Sequence, residues 1–170
     1  MVRSDFGMIK IFYLPVSRWK EYKEIRLYAL KSEKFAFSKS YSEEKNNLPS
    51  FWKGRLESKS VIVAEEKEKI IGIAAFVFSS KKVTKHVAEI FSVYVLPEQR
   101  GKGVSKKLFK FILKEAKKKK IKKIELGVFA DNLFAKKFYL KQGFKVIGKH
   151  EKEFFINGKY CDEIIMEKFL

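Results

Sequence analysis

Apolar and polar positions change period several times along this chain, and each change predicts an element. Ile9 to Leu14 is a short apolar run stopped by Pro15 and reads as a strand. Ser17 is the expected cap of a helix reaching Ser32, although Trp19, Tyr22, Ile25, Leu27, Ala29 and Leu30 follow helical spacing only in part. A loop carrying Phe35, Phe37 and Tyr41 follows. Glu43 and Glu44 open a helix broken near Asn46-Asn47-Leu48-Pro49, and a second piece runs from Ser50 to Glu57. Then the period shortens. Val61 to Ala64 and Ile70 to Phe78 read as a hairpin around the charged turn from Glu65 to Lys69. Ser79 to Lys82 is another turn, and Val83 to Val95 a long strand rich in β-branched and aromatic residues.

The second half is more regular. Val104, Leu108, Phe111, Ile112 and Ala116 share one face of a helix from about Gly103 to Lys119, with lysines mainly opposite. Ile121 to Phe129 is a strand. Asn132 to Gln142 is a short helix ended by Gly143. Phe144 to Ile156 and Tyr160 to Phe169 pair through Asn157-Gly158, a strong hairpin turn. The sum is an α/β (α+β) domain: a mixed, mainly antiparallel sheet of about six to seven strands, flanked by helices, with one central strand-helix-strand crossover.

Composition narrows the class. The chain has 170 residues, which predicts a single domain with a sizeable core. Its 46% apolar and 15% aromatic content argues against disorder. No 18-residue apolar run is present, so no membrane partner is expected. The opening MVRSDFGMIKIFYL lacks the apolar stretch and cleavage site of a signal peptide, and a cytoplasmic location is the expectation. Cys161 is the only cysteine, which excludes a disulfide framework and a Cys-based zinc site. His86 and His150 are read as candidate bases or as isolated, incidental residues, and no metal is expected. A net charge of +18 fits a polyanionic partner, and equally a lysine-rich solvated surface. The run KEAKKKKIKK, residues 114–123, lacks the interleaved aromatics of a single-strand binder and complements a helix C-terminus by itself. Nucleic acid is therefore the lesser expectation.

The segment VLPEQRGKGVSKKLFKFI, residues 95–112, carries the chemistry. A glycine-rich turn between strand and helix is an anion site, because the first helical N–H groups have no intrahelical acceptor. Gly101 and Gly103 let backbone approach a ligand, and Arg100, Lys102 and Lys106 add charge. The same features also suit a plain helix entry with basic flanks. A Walker loop is excluded, since GxxxxGK[ST] is absent, and so is the dinucleotide fingerprint.

Arg100-Gly101-Lys102-Gly103-Val104-Ser105 resembles the Arg/Gln-x-x-Gly-x-Gly/Ala signature of the GNAT (Gcn5-related) N-acetyltransferases. The second motif, Asn132, Ala135, Tyr139 and Gly143-Phe144, follows at that family's spacing. The resemblance covers residues 60–168 well and 1–57, the substrate-facing part, loosely. It implies a GNAT fold and acetyl-CoA as co-substrate, with its pyrophosphate on residues 100–106. It also implies that Val93, Tyr94 and Val95 line the pantetheine arm, that Asn132 touches the cofactor, and that Tyr139 lies near the thioester sulfur. Two positions depart from the pattern. Ser105 stands where glycine or alanine is usual, and Gly127 stands where some relatives carry a catalytic glutamate.

Acetyl transfer to an amine needs a neutral nucleophile. A lysine-like amine is neutral in about one molecule in 2,500 at pH 7, equivalent to about 4.6 kcal/mol. Glu89, 14 residues before Gly103, resembles the base of histone-type members. Strand alternation predicts Phe91, Val93 and Val95 on its face. A strand-end glutamate paired with a lysine is the competing reading. Tyr139 is the candidate acid, or else a core tyrosine. A backbone N–H near Val93 is the expected oxyanion donor. Asp162 and Glu163 are read either as attractors of a cationic amine or as surface charges. The expected partner is an amine-bearing acceptor, a small amine or polyamine or a protein N-terminus or lysine, attacking directly in a ternary complex. The protein is expected to be a monomer or homodimer. A basic nucleic-acid module and a non-catalytic acyl-CoA binder are the alternatives.

Overall fold

The computed structural model describes residues 8–170; part of the leader reading and the start of the predicted domain fall on residues 1–7, outside the described residues. The strands are β1 Lys10–Tyr13, β2 Val61–Glu66, β3 Lys69–Phe78, β4 Val87–Val95, β5 Lys123–Phe129, β6 Lys145–Ile156 and β7 Lys159–Phe169. The helices are α1 Trp19–Ser32, α2 Tyr41–Glu44, α3 Pro49–Glu57, α4 Val104–Lys118 and α5 Leu133–Lys141. One seven-stranded sheet runs in the order β1-β2-β3-β4-β5-β7-β6. Every neighbouring pair is antiparallel except β4 and β5, which α4 connects as a crossover. None of the described helices is long and apolar enough to cross a membrane.

The core forms where the periodic faces meet. Val104, Leu108, Ile112 and Ala116 of α4 are buried as predicted, while Phe111 is half-buried against Tyr13. Phe109 is also buried, because α5 packs beside α4 and brings Phe138, Tyr139 and Phe144 onto its ring. On α3, Trp52 is fully buried and packs edge-on against Tyr22 of α1. Edge strand β6 stays largely exposed, and its Lys145, Lys149, His150, Glu151, Lys152 and Glu153 discourage pairing with another chain.

Several boundaries differ from expectation, each for a local reason. Ser17 caps nothing: residues 16–18 form a 3-10 turn, and Arg18 precedes α1 with no side-chain cap. A capping box sits at α2 instead, where Ser40 and Glu43 exchange hydrogen bonds. Val83 lies in a 3-10 turn, 83% exposed, so β4 starts only at Val87. The turn between β2 and β3 shrinks to Lys67 and Glu68, both at positive φ, the geometry of a tight two-residue hairpin. Asn157 and Gly158 adopt the same geometry between β6 and β7, as expected. β5 begins at Lys123 because the chain first turns back through Lys120 at φ 58.

One departure shapes the centre of the molecule. Ala75 pairs with Phe91, yet Ile73 pairs with Tyr94, so β4 carries an extra residue at Ser92–Val93. Ser92 takes φ 55 within this bulge. A bulge shifts the alternation by one. Glu89 and Phe91 therefore share a face with Tyr94, which packs on Tyr28 and Phe37. Val95 faces the α4 side, with Cγ2 beside the same Gly72 site as Val104 Cγ1. The predicted common face of Glu89, Val93 and Val95 is corrected accordingly.

Candidate active site

The sheet opens at its centre. β4 and β5 pair only through Val87–Lys123, Ala88–Ile124 and Glu89–Glu125, and then separate. β4 stays paired to β3 as far as Val95, so residues 90–95 present one unpaired edge toward the gap. The bulge bends β4 at this point. It is held by Arg26 of α1, whose Nη1 donates to Ser92 Oγ at 3.2 Å. Arg26 is in turn clamped by Glu44 through two hydrogen bonds of 3.0 Å, with both side chains 3% exposed.

A cavity of about 340 Å³ occupies the gap. Glu89, Phe91, Ser92 and Val93 line one wall, and Asn132, Ala135 and Tyr139 another. Gly127, Phe129, Phe154 and Glu163 close the side toward β7 and β6. Phe154 reaches the cavity because β6 bulges between His150 and Phe154, and its ring stacks on Phe129 at 4.5 Å. A wider groove of about 640 Å³, between the loop after α1 and the end of β6, shares Phe37, Ser38 and Phe154 with this cavity.

Glu89 is the last residue paired before the strands part. It is reached by solvent from the open cavity, yet desolvation by the surrounding protein raises its pKa above the usual carboxylate range. Glu125, its cross-strand partner, and Glu163 push it further in the same direction. Tyr139 packs among Phe109, Phe138 and Phe144, and burial pushes its phenol well above the ordinary value. It stays protonated at neutral pH and so remains a donor. Asn132 caps α5, its Oδ1 accepting from Ala135 N–H at 3.1 Å, which leaves its amide N–H groups for other partners.

The glycine-rich turn lies beyond the open end of β4. Gly101 and Gly103 take φ 77 and 80, and a Cβ on either would meet nothing within 4 Å. The turn is thus both strained for other residues and open to a ligand. The first α4 backbone bond runs from Lys107 N–H to Gly103 at 3.0 Å. Val104, Ser105 and Lys106 therefore carry N–H groups without an intrahelical acceptor. Lys102 and Lys106 are exposed beside them. Arg100 is arranged differently from expectation. Its guanidinium bonds Val95 O at 3.1 Å and Glu33 at 2.6 Å, and its own N–H goes to Pro97 O. Tyr94 is likewise turned from the gap, with its hydroxyl 3.2 Å from Ser32 Oγ.

The cavity thus brings together Glu89, Val93, Asn132 and Tyr139, while the glycine-rich turn of residues 101–103 and the start of α4 follow the end of β4 and do not line it. Sequence reading missed Arg26 and Ser92, and it placed Glu44 at a helix opening rather than against Arg26. The available signal was an arginine at helical spacing from Tyr22 and Leu30, on the face that α1 buries. It left Glu163 between an attractor of a cationic amine and a surface charge, since only tertiary structure shows where that side chain turns: it lines the cavity. His150, Glu153 and Glu163 place one donor atom each within 4.8 Å of one another, which is the chemistry of a metal-ligating set. His150 and Glu153 are exposed, however, and His150 Nδ1 lies 3.9 Å from Glu153 Oε2 and 3.5 Å from Glu163 Oε2.

Residues 22–144 match the Acetyltransferase (GNAT) family. The chain is 26% identical over 140 residues to N-acetyltransferase 8 of Homo sapiens, covering 82% of this chain and 55% of that protein. It is 33% identical over 106 residues to an uncharacterized N-acetyltransferase of Archaeoglobus fulgidus, covering 58% of this chain and 69% of that protein. It thus spans only about half the length of the human relative. Its fold is that of a GNAT-family acetyltransferase from Streptococcus pneumoniae, with a TM-score of 0.85 at 19% identity over 96% of this chain and 99% of that one. A Salmonella typhimurium protein whose structure holds its cofactor acetyl-CoA superposes with a TM-score of 0.81 at 22% identity, over 96% and 95% of the two chains. With a family match over most of its length and a sheet that splays beside a glycine-rich helix entry, this chain belongs to the GNAT acetyltransferase family.

Proposed function

We propose that the protein is an acetyl-CoA-dependent N-acetyltransferase acting on a primary amine by direct attack. The observation that carries this reading is the gap between β4 and β5, with a free strand edge on one side and, at the α4 entry that follows β4, free helix N–H groups. The donor set fits the co-substrate. The N–H groups of Val104, Ser105 and Lys106, with Lys102 and Lys106 alongside, suit a diphosphate. The open edge of residues 90–95 suits the two amides of the pantetheine arm, which pair as an added strand would. Acetyl-CoA supplies an acyl group activated as a thioester. The chain's own residues supply the rest. Glu89 accepts a proton from the attacking nitrogen, a main-chain N–H at the Ser92–Val93 bulge stabilises the developing oxyanion, and the Tyr139 phenol donates to the departing sulfur. Asn132 holds the co-substrate against α5. Arg100 acts from behind, tying the end of β4 to α1 through Val95 and Glu33.

The acceptor approaches through the groove shared at Phe37, Ser38 and Phe154, which the N-terminal helices and β6 enclose. One structural relative is a ribosomal-protein-alanine N-acetyltransferase from Brucella melitensis, so a protein N-terminus joins the small amines among acceptors to be tried. The direct test incubates the protein with acetyl-CoA and a panel of primary amines and peptides while free thiol is followed. Amine-dependent thiol release is expected. Acetyl-CoA binding without release by any amine would leave only an acyl-CoA binder.

A second measurement probes the cradle. In Gly103→Ala, the turn relaxes away from positive φ, a conformation costing about 1–2 kcal/mol for a residue with Cβ. Binding must then restore it, so acetyl-CoA affinity should fall roughly tenfold. Calorimetry showing unchanged affinity would remove the pyrophosphate from residues 101–106.

A further inference from the structure

Gly127 sits on β5 two residues beyond the last β4–β5 pair, facing the cavity. Its missing side chain is replaced from the next strand. A Cβ at this position would fall 2.6 Å from Cδ of Glu163 and closer still to its Oε1. Glu163 is on β7, opposite Phe129, and it leans over the glycine into the same cavity that Glu89 lines. Its other oxygen faces outward, with Oε2 3.5 Å from Nδ1 of His150, its cross-strand partner on β6. Glu163 is 21% exposed and His150 58% exposed, so the pair leads from the cavity wall to bulk water.

We propose that Glu163 is a second catalytic carboxylate, the one that deprotonates the incoming ammonium and passes the proton to solvent through His150. This rests on the acetyltransferase reading and assigns the two protons that reaction must move. An ammonium acceptor first loses one N–H proton to the Glu163 carboxylate, which hands it to the imidazole and then to water. The neutral nitrogen attacks the thioester carbonyl. Once the N–C bond exists, the nitrogen still carries a surplus proton, and Glu89 removes it. The C–S bond breaks, and the sulfur leaves with the proton donated by Tyr139, which Glu89 restores. One acetylated amine, one thiol and one free proton result. Two carboxylates lining one cavity also favour a cationic acceptor over a neutral one.

The groups facing Glu163 agree with this role. Burial raises its pKa, Glu153 on β6 adds to the rise, and His150 opposes it. Glu89 on β4 shares the cavity, with Glu125 on β5 beside it. Arg26 from α1 lines the cavity too, but Glu44 already holds its charge.

Gly127→Ala gives a test that keeps the carboxylate but moves it. The added methyl displaces the flexible end of Glu163 rather than any backbone, so folding should be preserved. The experiment compares wild type, Glu163→Gln, Gly127→Ala and Glu89→Gln with two nucleophiles, n-butylamine, cationic at pH 7, and hydroxylamine, neutral at pH 7. For Glu163→Gln and Gly127→Ala, kcat/KM with n-butylamine should fall about 10²-fold, while hydroxylamine stays within a fewfold. Glu89→Gln should lose rate with both. Equal losses for both nucleophiles in Glu163→Gln, or no loss with n-butylamine, would overturn the proposal. So would wild type that binds acetyl-CoA yet never acetylates n-butylamine. Wild type that binds no acetyl-CoA would instead overturn the acetyltransferase reading itself.

Discussion

Glu89→Gln is expected to lower turnover about 10²–10⁴-fold, the usual range for a general base, with acetyl-CoA affinity unchanged. Glutamine keeps the shape of the side chain and removes only its capacity to take a proton. The pH profile should change in a defined direction. A base works only when ionised, and burial, Glu125 and Glu163 all raise the pKa of Glu89. The wild-type rate should therefore climb with pH above the ordinary carboxylate range, and the variant should lose that limb. Stability should move oppositely. A carboxyl whose pKa is raised by folding favours the folded state below its unfolded pKa, and that favour disappears as pH rises through the folded value. Ionised Glu89 thus works against folding at pH 7, and the neutral glutamine does not. The variant should melt no lower than wild type at pH 7, which separates lost chemistry from lost structure. Wild-type rates across pH would end the assignment of Glu89.

Glu44→Ala carries the largest expected stability effect. It leaves the buried Arg26 guanidinium without its carboxylate, and breaking such a pair costs about 3–5 kcal/mol. For a domain of this size that lowers Tm by roughly 6–20 °C. The pair also tethers the bulge through Ser92, so structure and rate should separate in a double variant. Arg26→Met with Glu44→Leu refills the space with apolar groups, and such swaps are often neutral or stabilising. Thermal melting should recover while thiol release stays low, because Ser92 has lost its tether. Recovery of both would show that Arg26 serves the core alone.

Much of this was legible in the sequence because its signals are local. A period of two, a helical stripe on α4, Asn157-Gly158 and Gly143 each report on a few neighbouring residues, and the structure follows them closely. Arg100 to Ser105 and Asn132 to Gly143 likewise identify the family within short windows, since a glycine-rich helix entry and an N-cap asparagine do their work on adjacent backbone. Ends were less legible. Val83 is β-branched, and nothing in its neighbourhood reveals that a 3-10 turn leaves it in solvent.

The sequence by itself determined the strands and helices, the crossover, the glycine-rich entry to α4 and the family. Tertiary structure alone decided what surrounds the reacting groups. The bulge at Ser92–Val93 exists because β3 pairs on both sides of it and Arg26 reaches across from α1, 66 positions away in the chain. Arg100 turns to Glu33, 67 positions away, instead of toward the cradle it adjoins. Glu163 enters the cavity because β7 lies beside β5 and Gly127 offers it no side chain to meet. Hydrophobic periodicity is written along the chain, but partners for charge are chosen by strand order and by the volume that distant residues leave free.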